Sequence, residues 1–527
     1  MTSIQRTDAE THMDSENGVP TPRLNVGPII NQLPIELLLQ IFEFALGPRD
    51  HDHGSEYYRH LCTLSGVCTR WYSIIHHSPQ LWTIVPGIIK EEGLRKILER
   101  SSGKHIDIKC NHKEVHFPTY FNVLGSASER WRSLGLTTSR TVALEHQTHD
   151  FLQLPAPNLE RLSFENSHWY SVNMRNVEFF RGNCPNLKEI HISGVTCEWT
   201  QPAFKGLEIL KLSYVFFDSV GPILDLIRPL SQLRKLEIHK CKTNEELPEP
   251  TQPVSLPNLQ LLRVEFNDQW RVKIPTKQFL DRISAPPACP LYVSLDNYEP
   301  EEEGSVAETF CEWLFGRQTK AVLEGVEGLK LDFSHSDDDM SSLVTFKLHS
   351  GSAKINGGFT SSHTEDGLHV LEYIQGLFQR SSTLEGFTEL SVSGNRAEIL
   401  NNSEIIASFK GLPPITHLEL IQPEWFTPSS PSEDISDSEG LDSSTAPYSK
   451  IKNVVLWEVP PDRILDIVFG ALGDSRERTP LISEWRVEDL DHVEIHVDGR
   501  DFHEAEAVVV VLRNDPRIGK VDLYVAL

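Results

Sequence analysis

The sequence predicts an α/β protein in two parts: a three-helix module near the amino end and a long, irregular α/β solenoid behind it. Three observations carry that prediction. Apolar residues recur at helical spacing between Ile29 and Arg100. Beyond Gly103 the signal changes to short strand-like units that repeat one apolar pattern. The composition permits both parts, since 527 residues with 39% hydrophobic and 24% charged content supply a large core and exclude wholesale disorder.

Residues 1–28 are polar, with Pro20, Pro22 and Gly27 near their end, and are expected to form a disordered tail. The stretch Leu33–Leu46 reads as a helix. Pro34 suits its first turn, Glu36 lies at the positive end of its dipole, and Gly47-Pro48 stops it. Glu36, Gln40 and Glu43 form one narrow polar stripe, and every other position from Ile35 to Leu46 is apolar. A surface helix normally buries a single stripe, so this one needs cover on two sides. Burying each large side chain contributes about 1.5–3 kcal/mol, which makes a missing partner the simplest explanation. A charged, histidine-bearing insert, Arg49–Ser55, follows. Helical spacing resumes at Leu61, Leu64, Cys68, Trp71 and Ile75, with Gly66 as the point where it splits in two. Ser78-Pro79 ends that stretch. Leu81-Trp82 comes next, then a further amphipathic helix from about Ile88 to Arg100, with Gly103 as its stop.

The residues Leu33-Pro34-x-Glu36-Leu37-Leu38-x-x-Ile41-Phe42, then Val67-Cys68-x-x-Trp71, then Ser78-Pro79-x-Leu81-Trp82 resemble the F-box signature. The resemblance covers Ile30 to Val85. It implies a small helical module that docks on a Skp-type adaptor and through it joins a cullin ubiquitin ligase. The insert between Leu46 and Tyr57 is longer than the compact module needs; it resembles a feature of fungal F-box proteins and is expected to loop out. By carry-over from the motif, the adaptor-binding set is Leu33, Pro34, Glu36, Leu37, Ile41, Phe42, Val67, Cys68 and Trp71. Leu33, Pro34 and Phe42 are assigned as direct contacts. Leu37, Leu38 and Ile41 divide between core and contact, and Cys68 and Trp71 support the internal packing. The resulting domains are an F-box at 29–85, a linker helix at 86–103 and a solenoid at 104–527.

In the solenoid an apolar Leu-x-x-Leu-x-Leu pattern begins at Trp131, Leu159, Leu187, Leu207, Leu233 and Leu259, in steps of 28, 28, 20, 26 and 26 residues. These steps lie in or near the leucine-rich-repeat range. Pro-Asn-Leu precedes three units, at Pro157, Pro185 and Pro257. Cys241 and Asn267 stand where such repeats tie down the turn after the strand. One unit cannot bury its apolar face alone, whereas stacked units form a parallel sheet over a continuous core. Val220–Leu230 fits a helix on the other side. Later strand-like units start at Val326, Leu343, Phe387, Ile415 and Ile451; His369–Arg380 reads as a helix, residues 427–449 as an acidic disordered loop, and Val521–Val525 as a terminal capping strand. The region resembles the leucine-rich-repeat-like receptors found behind F-boxes.

The open side of such a sheet usually meets the partner. Here it carries Ser163, His191, Lys211, Glu237 and Arg263 in the middle column, flanked by Arg161, Glu189, Lys235 and Glu265. Mixed charge of this kind fits a protein substrate recognised through paired polar groups, and equally fits ordinary solvated strand positions.

The net charge of −26 argues against nucleic acid and anionic membrane as partners. Eight scattered cysteines without a CxxC pair read as reduced thiols, and the acidic amino end lacks the apolar stretch of a signal peptide. A cytoplasmic or nuclear address is therefore expected. No phosphate loop, Gly-x-Ser-x-Gly elbow or His-Glu-x-x-His motif is present, so no catalytic residue, cofactor or metal site is assigned. His51-Asp52-His53 with His60 and Cys62, and Asp337-Asp338-Asp339, fit no established ligand spacing and read as solvated segments. Ser436 and Ser438 are candidate phosphorylation sites in a loop read chiefly as solubilising. The expected function is that of a non-enzymatic substrate-recognition subunit of an SCF-type (Skp–cullin–F-box) ligase. The alternative is an F-box binding scaffold that acts outside ubiquitination.

Overall fold

The computed structural model describes residues 29–47, 54–86, 90–111, 117–138, 150–166, 172–175, 177–243, 252–266, 275–295, 310–313, 326–335, 342–350, 353–361, 389–394, 416–421, 452–457, 464–465, 468, 490–498 and 502–526. The tail 1–28, residues 48–53 of the insert, Asn267, the aspartate triplet 337–339, the helix expected over 369–380 and the acidic segment 427–449 lie outside the described residues.

The chain enters through a short 3-10 turn, Ile29–Gln32, and then α1, Ile35–Ala45. Pro34 is extended and caps α1 from outside rather than lying in its first turn. Gly47 ends the helix with a φ of +77°, a conformation glycine adopts without a Cβ penalty. Gly66 does divide the next stretch: its N–H donates to Cys62 O and Thr63 O, closing α2 (Gly54–Ser65) before α3 (Thr69–His76) begins. Leu38, Phe42, Leu61, Trp71, Ile75, Leu81 and Trp82 fill the centre of the module.

Three side chains fasten these helices to the segment that leads into the sheet. Trp82 Nε1 donates to Ile75 O at 2.9 Å, Tyr57 OH to Leu81 O at 3.1 Å, and Tyr58 OH to Ile84 O at 2.6 Å. Ile84–Val85 is itself the first strand, β1, of the main sheet, paired in parallel with β2 (Ile106–Asn111) through Ile84↔Asp107 and Val85↔Ile108. The segment expected to be a linker helix is therefore the crossover of a β–α–β unit. Its helix α4 (Glu91–Arg100) buries Leu94 and Ile97, and the Arg100 guanidinium lies over the Trp82 ring at 4.4 Å. A parallel pair needs a connection of about a dozen residues or more, usually helical, and this one supplies it.

From there the sheet grows one strand per repeat. After helix α5 (Phe117–Gly125) come β3 (Trp131–Thr138), β4 (Arg161–Asn166), β5 (Glu189–Ser193), β6 (Ile209–Ser213), β7 (Lys235–Thr243), β8 (Leu261–Phe266) and β9 (Leu291–Leu295), all parallel. Helix α6 (Gly221–Ile227) occupies the helical segment read between β6 and β7, and α7 (Pro275–Leu280) lies between β8 and β9. The register places the repeated apolar positions in two columns. Leu134, Leu162, Ile190, Leu210, Leu236, Leu262 and Leu291 form one; Leu136, Phe164, Ile192, Leu212, Ile238, Val264 and Val293 form the other. All fourteen are buried. Alternation in a strand sends both columns to the same face, which is the core.

The Pro-Asn-Leu tripeptides have a mechanical role. Asn158 Nδ2 donates to Glu129 O at 2.7 Å, Asn186 Nδ2 to Pro157 O at 2.9 Å, and Asn258 Nδ2 to Ser231 O at 2.8 Å. Each asparagine thus ties its own repeat to the backbone of the one before, while the following leucine is buried. Cys241 is buried, donates to Leu212 O, and has its thiol pushed up to about 12 by burial.

Past β9 the expected succession of parallel repeats breaks. The strands β10 (Val326–His335), β11 (Ser342–Ser350) and β12 (Ala353–Ser361) form an antiparallel meander whose register pairs Leu331 with Phe346 and Leu329 with Leu348. The six-residue connection 336–341 and the two-residue connection 351–352 are too short for a parallel crossover. β9 pairs in parallel with β12, and β10 in parallel with β13 (Glu389–Gly394), so the meander is spliced into the sheet. The parallel run then resumes through β14 (His417–Ile421), β15 (Asn453–Trp457), β16 (Leu490–Asp498), helix α8 (Phe502–Arg513) and β17 (Ile518–Ala526). This long, largely parallel sheet is compatible with an α/β solenoid.

Candidate functional site

α1 has a core side and a second apolar side. Leu38, Phe42 and Leu46, spaced by four, are buried on the first. Leu37, Ile41 and Phe44, at i, i+4 and i+7, line the second and are 45%, 38% and 89% exposed. The polar stripe Glu36, Gln40 and Glu43 runs beside them. Val67, in the turn ahead of α3, is 57% exposed, and Ile30, Ile35 and Tyr72 add further exposed apolar surface. None of these groups belongs to the buried core of the described residues.

The side chains expected to bind an adaptor separate accordingly. Leu37, Ile41 and Val67 are exposed and apolar, Pro34 and Glu36 are exposed beside them, and Leu33 is half-buried with its carbonyl accepting from Arg70 Nη2 at 2.7 Å. Cys68 is half-buried at the start of α3. Phe42, expected to be a direct contact, is fully buried, its ring edge-on to Trp71 with centroids 4.8 Å apart. It lies one turn from Leu38 on the core stripe, so it supports the surface rather than forming it. Trp71 is buried likewise. Phe44 was missed. The signal for it was its i+7 relation to Leu37 on the stripe opposite Leu38 and Phe42.

The polar face of the sheet is the second candidate. Ser163, His191, Lys211, Glu237 and Arg263 are register neighbours on five consecutive strands, and the row continues to Tyr292. Of the flanking positions, Arg161 and Glu189 are neighbours, but Ile209 separates Glu189 from Lys235. The charges are largely engaged with one another. Lys235 Nζ lies 2.8 Å and Lys211 Nζ 3.8 Å from Glu237 carboxylate oxygens, His191 Nδ1 lies 3.6 Å from Glu165, and His239 bonds to the buried Glu265. Burial opposes ionisation of Glu237, yet the Lys235 bond and the neighbouring Lys211 and Arg263 hold its carboxyl below the ordinary value. Burial pulls His191 down. Arg263 is exposed, with its guanidinium 5.5 Å from the Tyr292 ring centroid. The arrangement is an ordered array of mixed charge along the register.

His51, Asp52 and His53 lie outside the described residues, while His60 and Cys62 are exposed on α2. Among the described residues no three His, Cys, Asp or Glu side chains gather as a metal site, and no helix is long and apolar enough to cross a membrane.

Residues 30–85 match the F-box-like family model. No curated protein matches the chain. The match spans the module whose second apolar side is uncovered, and F-box modules in general dock on Skp-type adaptors, so the chain carries an F-box-like domain of a kind associated with SCF-type adaptor roles.

Proposed function

We propose that this chain is the substrate-recruiting subunit of an SCF-type ubiquitin ligase, with α1 and the Val67 turn seated on a Skp-type adaptor and the sheet region holding a protein substrate. The observation that carries the reading is the exposed stripe Leu37, Ile41 and Phe44 on a helix whose other side is buried in the core. The adaptor-binding surface is then Leu33, Pro34, Glu36, Leu37, Ile41 and Val67, with Phe44 added and with Phe42, Cys68 and Trp71 holding it in shape. We read the sheet region as an irregular leucine-rich-repeat-like array; its in-register apolar columns and asparagine ties support that reading. The row Ser163, His191, Lys211, Glu237 and Arg263, with Arg161, Glu189 and Lys235, would face the substrate.

The chain would supply position rather than chemistry. Holding a substrate lysine within reach of a ubiquitin-charged enzyme converts an encounter in solution into a local one. The shared strand β1 serves that role by fixing the adaptor-binding side relative to the sheet face without a flexible linker.

Co-purification of the full chain with a Skp-type adaptor and a cullin tests the proposal. The parent chain captures both; Leu37→Glu combined with Phe44→Glu captures neither while its circular dichroism stays that of the parent. Capture of adaptor without cullin favours a scaffold outside ubiquitination, and capture of neither by the parent overturns the reading.

A further inference from the structure

Among the described residues, the strand β17 is paired along one side and not along the other. Its only paired neighbour among the described residues is β16. A nine-residue edge strand presents a row of backbone donors and acceptors, and natural proteins generally blunt such edges with charge, proline or cover. Here Lys520 guards the first half; the second half, Val521–Ala526, is blunted by Asp522 alone and leaves Tyr524 and Val525 exposed.

The rows that end at this edge are ordered by chemistry. Trp457, His496 and Tyr524 are register neighbours on β15, β16 and β17, and their rings stack: 3.5 Å and 12° between Trp457 and His496, 4.8 Å and 13° between His496 and Tyr524. Tyr524, the last ring, is 46% exposed. One position back, Glu494 and Asp522 are neighbours on the same face. His496 Nε2 lies 2.6 Å from Glu494, His492 Nε2 lies 3.0 Å from Asp522, and Lys520 pairs with Asp522. The intervening Val521, Leu523 and Val525 continue the apolar face.

We infer that the open edge of β17 is a docking strand for an extended, basic segment of a partner protein, which adds to the sheet with a basic side chain beside Asp522 and a planar one on Tyr524. The inference rests on the reading of the sheet region as a protein-recruiting domain. An added strand takes its affinity from backbone hydrogen bonds and its specificity from alternate side chains. Next to Asp522 the favoured cross-strand neighbour is a cation, and next to Tyr524 it is a ring or a guanidinium that continues the stack. Charge selects the occupant as well: a chain of net charge −26 attracts a basic segment and repels a second copy of itself. Self-pairing of β17 about Val521 would set Lys520 against Asp522, but it would also place Ile518, not a flat group, against Tyr524.

The test is fluorescence anisotropy of the full chain with fluorescein-labelled Val-Tyr-Val-Arg-Val-Tyr-Val, whose side-chain order is the same read in either direction. Two control peptides carry either N-methyl groups on alternate backbone nitrogens or Glu in place of Arg. The parent peptide binds and both controls fail; Tyr524→Ala and Asp522→Lys each weaken binding by about tenfold or more, equivalent to about 1.4 kcal/mol. Equal binding of the N-methylated peptide, or no response to Tyr524→Ala, overturns the inference. So does an absence of peptide binding accompanied by sedimentation of the chain as a dimer, which would assign the edge to a second copy. Adaptor capture and the response of substrate capture to Arg263→Glu report separately on the broader reading. Their failure with edge binding intact counts against the broader reading alone, and loss of edge binding with both intact sinks this inference without touching them.

Discussion

Phe42 and Phe44 are separated by one residue of α1 and meet opposite environments: the first is fully buried against Trp71, the second 89% exposed. Two residues along a helix turn the side chain by about 200°, so a core helix cannot enclose both. The two substitutions therefore have opposite signatures. Phe42→Ala lowers stability by about 3–5 kcal/mol through the cavity it leaves. Phe44→Ala leaves the melting temperature near that of the parent and weakens adaptor capture by about tenfold, as the loss of an exposed aromatic anchor does. Thermal melts and a quantitative pull-down separate the two; a Phe44→Ala chain that melts early, or binds adaptor at full strength, contradicts the assignment.

Asp107 links four strands. Its backbone N–H donates to Thr83 O at 2.8 Å beside β1, its buried carboxylate accepts from Arg132 Nε at 2.9 Å, and Arg161 Nη2 lies at 3.8 Å. The Arg132 bond also raises that guanidinium's pKa. Removing one partner of a buried pair costs about 3–5 kcal/mol, because the other charge is left without compensation. Asp107→Asn should fall toward the lower end of that range, since Arg132 keeps some access to water. Denaturant unfolding of Asp107→Asn, Arg132→Met and the double variant checks it: the double variant is less destabilised than the sum of the singles, and strict additivity would mean the pair does not act as a unit.

The asparagine ties make a third, smaller expectation. Each of Asn158, Asn186 and Asn258 makes one exposed bond to the preceding repeat. A bond of that kind is worth about 0.5–1.5 kcal/mol, so single alanine variants shift unfolding slightly. Asn258 lies on a repeat remote from the other two, so its loss should add to either of theirs, whereas Asn186 bonds the Pro157–Asn158 peptide itself and should couple to Asn158. Hydrogen exchange of the flanking strands reads the effect locally, and unchanged protection in Asn186→Ala would deny the tie its role.

Much of this architecture was legible because it rests on periodicity. The double apolar character of α1, the split at Gly66 and the two leucine columns from Leu134 to Leu262 derive from the 3.6- and two-residue periods, and the register reproduces the spacing of the repeats. Three things were not legible. The motif identified Phe42 as a contact, but which apolar side of a two-sided helix faces the core depends on α3, through Trp71. Units starting at Val326 and Leu343 share the apolar spacing of a parallel repeat. Only the short connection 336–341 marks them as antiparallel, and strand spacing does not encode direction. The stack of Trp457, His496 and Tyr524 joins residues 67 positions apart in sequence, an adjacency that exists only once the register is known.

The Glu237 carboxyl gives the polar row a pH dependence with a definite sign. Burial works against its ionisation, but the hydrogen bond and charge of Lys235, with Lys211 and Arg263 nearby, hold its pKa below the ordinary value. In the folded state it therefore releases its proton at lower pH than in the unfolded chain. Its contribution is present in full above the unfolded value of about 4.3 and is lost as pH falls through the lower folded value. Glu237→Gln should be less stable than the parent at pH 7, with the difference shrinking below about pH 4. His191 acts in a separate window: burial lowers its pKa, so it contributes above the unfolded value near 6.5 and loses that contribution on acidification from there. Urea unfolding of the parent, Glu237→Gln and His191→Asn at pH 7, 5.5, 4.5 and 3.5 resolves the two. A Glu237→Gln deficit that stays constant across all four values would mean that its pairing with Lys235 and Lys211 carries no net charge stabilisation, and that the row is held by packing alone.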